Sequence, residues 1–477
     1  MANSGLENKP TDPYFNGQWL RTTSTWEKIM EFGHRNGCLL IWYQINLKSK
    51  SPLKEEDVRL AVTHLYRKTP NLGVCLGMNN GELWLKRSSN PDVDFKVLRG
   101  QSVEEVRETL RRYRYNSETG PLFCTRLLLD SSDNTSDTED LDPDFPFTSS
   151  FFLGTHHGIT DGTSNMYIMG FFISLLNDVI SKKPIQEHEP LGVFVPEEET
   201  LKIIKKKKDI LESDPILMQK ISQKQELHRD EIPLLINGFK APEEEIWTAS
   251  LVEILDRATT LKFIQKCRQE KVTIHSAFTA LSNVALVDCL VENGVLQDSY
   301  CVQHFHLVNL RRYWDVKIPI ALGCHIGGPL PKYIDTPRNL GDKFWDYARS
   351  LHQNLKEDIE SAQVLTNNAL HDIMNPDVLP YREEFLLDSS KKFKGDYLTS
   401  NMGDITPLVT EGGEHVRVTH VIRSTTIHLM DNPVVINIHT FRGKFTMIFD
   451  YNPGAVRKEV AEKFCSQIIK RILSVSI

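Results

Sequence analysis

Long apolar runs are missing from this sequence of 477 residues. Its richest stretch, Met169–Leu176, falls well short of the roughly 18–20 residues that cross a bilayer, so it reads as a buried helix. No CxxC pair occurs among the eight cysteines, which are scattered through apolar stretches. That excludes a disulfide scaffold and predicts free, buried thiols in a reducing compartment. Basic residues are not in surplus either: 56 Lys and Arg stand against 63 Asp and Glu, for a net charge of −7. Without a basic footprint, nucleic acid is not the expected partner. The opening MANSGLENKPTDPYF is too polar for a secretory signal, Ala2 breaks the myristoylation pattern, and SVSI is no lipidation signal. The expectation is a cytoplasmic protein with no transmembrane segment.

What is present is globular: 40% apolar and 25% charged residues, which excludes disordered and collagen-like classes. The length suggests two or three domains. Helical and strand patterns alternate throughout, so the class is α/β. Strands are predicted at Cys38–Leu47, Leu122–Leu129, Ser149–Thr155, Thr248–Leu255 and Tyr300–Leu310, and helices at Lys54–Lys68, Val103–Tyr113, Asp256–Gln269, Thr273–Val291 and Arg457–Leu473. Thr273 is a candidate N-cap. Hairpins are expected around Asn79-Asn80-Gly81 and around Arg442-Gly443, where the sequence supplies residues that tolerate positive φ. The stretch Asp130–Asp144 holds seven acids and no base, and is read as a solvated loop. Residues 191–245 read as a crossover linker between an N-terminal lobe, 1–190, and a C-terminal lobe, 246–477. The run Lys205–Lys208 within it fits a solvated helix face better than a polyphosphate site.

The segment richest in chemistry is Phe151–Met169, FFLGTHHGITDGTSNMYIM. An apolar strand ends at Gly154-Thr155, His156 and His157 follow, and an apolar helix starts near Ser164 after Asp161-Gly162. A strand end opening into a helix is where α/β proteins place reactive groups, and histidine is the usual general base near neutral pH. The same residues also fit a core histidine pair with Asp161 capping the helix. Adjacent histidines diverge on a strand, which disfavours a shared metal ion. His304 and His306, two apart on one strand, lack a third ligand at diagnostic spacing. The Cys324-His325 pair lacks anything to orient a base, so no metal and no thiol nucleophile are expected.

His156-His157-Gly158-Ile159-Thr160-Asp161-Gly162 resembles the HHxxxDG signature of the acyl-CoA-dependent acyltransferase superfamily, which includes chloramphenicol acetyltransferase, alcohol acetyltransferases and peptide-synthetase condensation domains. Further segments are similar to the family's: Lys68-Thr69-Pro70 after the first long helix, Val272-Thr273-Ile274-His275, Val308-Asn309-Leu310-Arg311, and Thr399-Ser400-Asn401-Met402-Gly403. The last resembles the SNLG segment of alcohol acetyltransferases, and the DFGWG box of the plant branch is absent. His325 stands where many members have Asn.

The resemblance implies two chloramphenicol-acetyltransferase-like lobes, each a mixed sheet with helices, and an active-site tunnel between them. It implies His157 as general base and Asp161 as a loop-fixing carboxylate partnered by Arg311, with Arg312 as the second choice. His156 and Gly162 would shape the loop, and Ser400 and Asn401 would contact the oxyanion or the substrate. Acyl-CoA, acetyl-CoA as the default, is implied as co-substrate, with no permanently bound cofactor and no metal. The expected activity is transfer of an acyl group to the hydroxyl of a small-molecule alcohol by a monomer. The alternatives are N-acylation or condensation from a carrier-bound donor, and a catalytically silent scaffold.

Overall fold

A computed structural model describes residues 15–129, 142–226, 232–239, 247–327, 330–374 and 393–476. The chain divides into two compact units: 1–195 with 318–324 and 408–421, and 196–317 with 325–407 and 422–477. Two segments from the C-terminal half, 318–324 and 408–421, thus belong to the first unit. Most of the stretch read as a linker lies in the second unit and is largely helical, with Glu198–Ser213 and Pro215–Glu226. The acidic stretch lies outside the described residues apart from 142–144.

The first unit is built on a five-stranded mixed sheet in the order Val416–Thr425, Leu40–Ser49, Phe147–His156, Phe123–Leu129, Phe95–Leu98. The edge strand continues past Val421 into the second unit. Phe147–His156 is central and antiparallel to both neighbours, in register from Leu40↔His156 to Ser49↔Phe147 and from Phe123↔Thr155 to Leu129↔Ser149. Its last eight residues are all buried, which is why it reads as a continuous apolar run rather than an alternating one. The helices Glu55–Lys68 and Gly162–Ile180 pack together, and Phe151 stacks on Phe172 at 3.8 Å between ring centroids. A smaller sheet of Trp19–Thr22, Glu82–Arg87 and Val74–Asn79 turns at Asn80 and Gly81, whose φ of 51° and 81° give the tight hairpin expected there.

The second unit is built on six strands in the order Leu330–Pro337, Ser299–His306, Tyr397–Asp404, Val434–Phe441, Lys444–Tyr451, Ala249–Leu255. Its main core joins that sheet to the helices Arg257–Gln269, Ile274–Glu292 and Lys458–Val475. Among the described helices only Ile274–Glu292 is long and apolar enough to cross a membrane, and it is mostly buried in this core. Thr273 caps it, accepting the Ser276 N–H at 3.1 Å, as expected. Arg442 and Gly443, at φ 50° and 78°, close the expected hairpin. The expected strand Tyr300–Leu310 stops earlier, at His306. Asn309 instead caps a short 3-10 turn, Leu310–Tyr313, by accepting the Arg311 N–H at 3.1 Å. Lys206 faces Asp315 at 3.7 Å, Lys207 donates to the Ser361 carbonyl at 3.0 Å and Lys208 faces Glu212 at 3.9 Å, so these lysines lie on a solvated helix face.

Candidate active site

The strand Phe147–His156 ends, and the chain makes one 3-10 turn, His157–Ile159, before the helix Gly162–Ile180 begins. This geometry gives the two histidines opposite surroundings. His156 is fully buried. Its Nδ1 accepts the Gly158 N–H at 3.0 Å, so the proton of a neutral ring sits on Nε2, which donates to Glu31 Oε2 at 2.9 Å. Glu31 lies on the helix Thr25–Arg35, whose start is fixed by a capping box between Ser24 and Glu27. The Glu31 carboxylate also accepts from Ser117 Oγ at 2.9 Å and from Arg35 Nε at 2.7 Å. Burial alone would raise this carboxyl; the hydrogen bonds of His156, His34 and Arg35 outweigh it and hold Glu31 well below the usual carboxylate range. His156 therefore acts as a fixed post for the turn.

Glu31, His34 and His156 each bring a ligand-type atom within 4.8 Å of the others. Those atoms already have partners within the protein: His34 Nε2 accepts the Tyr115 N–H at 3.0 Å, and Glu31 holds His156 and Ser117. The trio is chemically satisfied as a hydrogen-bond network.

His157 is partly exposed. Its Nδ1–H donates to the Thr160 carbonyl at 2.9 Å, which places the lone pair of the neutral ring on Nε2. Burial pushes its pKa below the ordinary histidine value, against smaller opposing effects of the Thr160 carbonyl and the Asp161 charge. A neutral imidazole with an unprotonated Nε2 is what a general base at neutral pH requires. Asn71 braces the turn from another side, donating from Nδ2 to the Ile159 carbonyl at 2.9 Å. Asn71 follows the Lys68-Thr69-Pro70 segment singled out in the sequence.

Asp161 is the N-cap of the helix Gly162–Ile180, accepting the Ser164 N–H on Oδ1 at 2.9 Å. It serves both as the cap and as the negative charge that supports His157. Gly162 is the first helical residue. Ser164 Oγ in turn donates to the Gly323 carbonyl at 2.8 Å, which brings 318–324 onto this end of the helix. Cys324 lies next to His157 in consequence, with Sγ 3.8 Å from Nδ1. Because Nδ1 carries the proton, that contact gives the thiol no base.

In the second unit, Ser400 and Asn401 lie on the strand Tyr397–Asp404. Asn401 Oδ1 accepts the Gly403 N–H at 2.7 Å, a local turn contact. Ser400 Oγ accepts from Arg423 Nη1 at 3.1 Å. Arg423 is only 5% exposed and also donates to Asn437 Oδ1 at 3.0 Å and to the Ile438 carbonyl at 3.1 Å. Asn437 passes the network to Asp450, which is held by Ser250 and Ser424. Sequence reading found Ser400 but not Arg423, which lies 23 residues further on in an otherwise unremarked strand. Arg311 sits in the 3-10 turn of the second unit, with Nη1 3.3 Å from Asn309 Oδ1. Arg312 is exposed. His325 is buried edge-on against Trp314, ring centroids 4.7 Å apart.

No protein-family model and no curated protein matches the chain. Solved structures do. A trichothecene 15-O-acetyltransferase from Fusarium sporotrichioides superposes with a TM-score of 0.67 at 13% identity, covering 98% of this chain and all of the other. The first condensation domain of the calcium-dependent antibiotic synthetase gives 0.67 at 10% identity, covering 97% of each chain. Polyketide synthase associated protein 5 from Mycobacterium tuberculosis gives 0.62 at 12% identity, covering 97% of this chain and 99% of that one. End to end, this sequence adopts the chloramphenicol-acetyltransferase-like fold shared by acetyltransferases and condensation domains, as its HHxxxDG resemblance implied.

Proposed function

We propose that the protein is an acyl-CoA-dependent O-acyltransferase acting on a small-molecule alcohol, with His157 as its general base. The observation that carries this reading is the hydrogen bond from His157 Nδ1–H to the Thr160 carbonyl, which leaves Nε2 free to accept a proton. In the proposed reaction Nε2 takes the hydroxyl proton as the oxygen attacks the thioester carbon. The tetrahedral intermediate collapses, the C–S bond breaks, and the same proton passes to the departing thiolate. Atoms and charge balance without an acyl-enzyme.

The fold alone accommodates N-acylation and condensation from a carrier-bound donor equally well. The alcohol reading is favoured by the Ser400-Asn401-Met402-Gly403 segment and its similarity to alcohol acetyltransferases. The test is release of free thiol from acetyl-CoA in the presence of alcohols and, separately, amines. Turnover with alcohols that drops about 10²- to 10⁴-fold in His157→Ala supports the assignment. Turnover that survives the substitution removes His157 as the base, and turnover with amines alone makes the protein an N-acyltransferase.

A further inference from the structure

The three residues after His157 each have a peptide group held by a side chain. The Gly158 N–H donates to His156 Nδ1 at 3.0 Å, the Ile159 carbonyl accepts from Asn71 Nδ2 at 2.9 Å, and the Thr160 carbonyl accepts from His157 Nδ1 at 2.9 Å. All of these residues lie in the first unit. The tie to Gly158 differs from the others, because a neutral imidazole carries its proton on either nitrogen. With the proton on Nε2, His156 Nδ1 is an acceptor and holds Gly158. With the proton on Nδ1, two N–H groups face each other and the tie is broken. The turn that carries His157 therefore depends on the tautomer of His156.

Glu31 selects that tautomer. Its Oε2 lies 2.9 Å from His156 Nε2, deep inside the unit: His156 is 0% exposed and Glu31 2% exposed. A carboxylate only accepts, so it draws the proton to Nε2. A protonated carboxyl would instead donate to Nε2 and release Gly158. Burial favours that neutral form, yet the hydrogen bonds of His156, His34 and Arg35 outweigh it and keep Glu31 ionised at neutral pH. The carboxylate has supports of its own: Ser117 Oγ donates to Oε2 at 2.9 Å and Arg35 Nε to Oε1 at 2.7 Å. His34 meets the His156 ring edge-on, centroids 4.7 Å apart, which limits its rotation. Gly158 lets the turn approach this closely, since a Cβ there would lie 3.1 Å from His156 Nδ1.

We propose that Glu31 is a positioning residue for His157: by fixing the tautomer of His156 it holds Gly158, and through Gly158 the turn that aims the His157 ring. This role rests on the reading of His157 as the general base. The basicity of that ring is set by burial, by backbone hydrogen bonds and by Asp161. Glu31 acts on where the ring points.

The test pairs two substitutions in the full chain. Glu31→Gln keeps the reach and an acceptor oxygen but loses the charge; Glu31→Asp keeps the charge and is one methylene shorter. Labelling with 15N-histidine reads the protonation of each ring nitrogen, with the two rings assigned from His156→Asn and His157→Asn. In the unsubstituted protein at neutral pH, His156 carries its proton on Nε2 and His157 on Nδ1, each as a single tautomer. Glu31→Gln preserves both, and Glu31→Asp turns both into mixtures. Turnover is followed as thiol release from acetyl-CoA with an alcohol that supports it. In Glu31→Asp kcat falls about 10²-fold, the loss expected of a misplaced reacting group, while KM stays within about threefold. The acid limb of kcat/KM does not move, and Glu31→Gln retains kcat within about threefold. A merely structural Glu31 would lower the denaturant midpoint in both variants and leave the rings of the folded protein unchanged. Three results overturn the role: a His156 proton on Nδ1 in the unsubstituted protein, which requires no variant to fold; a His157 ring that stays a single Nδ1–H tautomer in Glu31→Asp; or a kcat loss in Glu31→Gln as large as in Glu31→Asp. The spectra need no turnover, so the two assignments fail separately. Turnover that survives His157→Ala removes the base, whereas a His157 ring indifferent to Glu31→Asp removes the positioning.

Discussion

His156 and His157 are chemically identical and adjacent, yet only one is available as a base, and the difference lies in which nitrogen each leaves open. His156 spends Nδ1 on the Gly158 N–H and Nε2 on Glu31, whereas His157 spends only Nδ1. Asp161 combines two effects on this turn, and Asp161→Asn separates them. Asparagine caps helices as well as aspartate does, so the Ser164 N–H keeps an acceptor. The charge that raises the basicity of His157 is lost. On the proposed mechanism the protonated ring is inactive as a base, so the rate is expected to rise with pH and to level off above the His157 pKa. Burial already places that rise below the ordinary value of 6.5, and Asp161→Asn is expected to move it further toward acid in a kcat/KM profile. An unmoved acid limb would mean the carboxylate does not act on His157. The sequence alone revealed His157 and Asp161 because they sit in one short motif. Glu31 and Asn71, 125 and 88 residues from their partners in that motif, were hidden, since a contact across the fold leaves no local pattern.

At the scale of elements, the helix Gly162–Ile180 connects the turn to the rest of its unit. Gly170, in its middle, lies so close to the 408–421 segment that an added Cβ would sit 2.4 Å from the Leu408 carbonyl oxygen. The obstacle is backbone and cannot rotate away. Gly170→Ala gains helix propensity worth about 1 kcal/mol, but separating the two backbones costs about 1–3 kcal/mol, so a net loss in the denaturant midpoint is expected. A midpoint that rises instead would mean the contact yields freely. This contact was invisible in the sequence, where Gly170 is one small residue in an apolar run. The two tight hairpins and the Thr273 cap were legible because each depends on residues adjacent in sequence. The helix Thr25–Arg35 was overlooked even though Ser24 and Glu27 spell a capping box, because its polar face obscures the periodicity. The strand Ser299–His306 was drawn four residues too long because its apolar pattern runs on through Val308 and Leu310, where Asn309 turns the backbone.

Across the whole molecule, pH acts on two buried carboxyls of opposite character. Glu31, in the first unit, is held down by its hydrogen bonds; its contribution is complete above its ordinary value of 4.5 and is lost as pH falls toward its folded value. Asp396, in the second unit, is fully buried. It accepts backbone N–H groups from Leu235 at 2.6 Å and Gln303 at 2.8 Å, which tie the segment Leu234–Asn237 to the strand Ser299–His306. Burial nevertheless pushes it up to about 7. The sign is therefore reversed: the folded state keeps the proton longer than the unfolded chain, so stability falls as pH climbs from the ordinary 3.8 toward 7 and is fully reduced above it. Each decade in the ionisation constant corresponds to about 1.4 kcal/mol, so the loss amounts to a few kcal/mol. Asp396→Asn retains one carbonyl acceptor and cannot ionise. Relative to the unsubstituted protein it is expected to be less stable or equal at pH 5, where the acid is already neutral, and to gain steadily up to pH 8. Denaturant unfolding of both proteins at pH 5, 6.5 and 8 reads this directly. A stability difference that stays constant across those three points would show that Asp396 folds as a carboxylate, with its backbone donors sufficient to hold the charge.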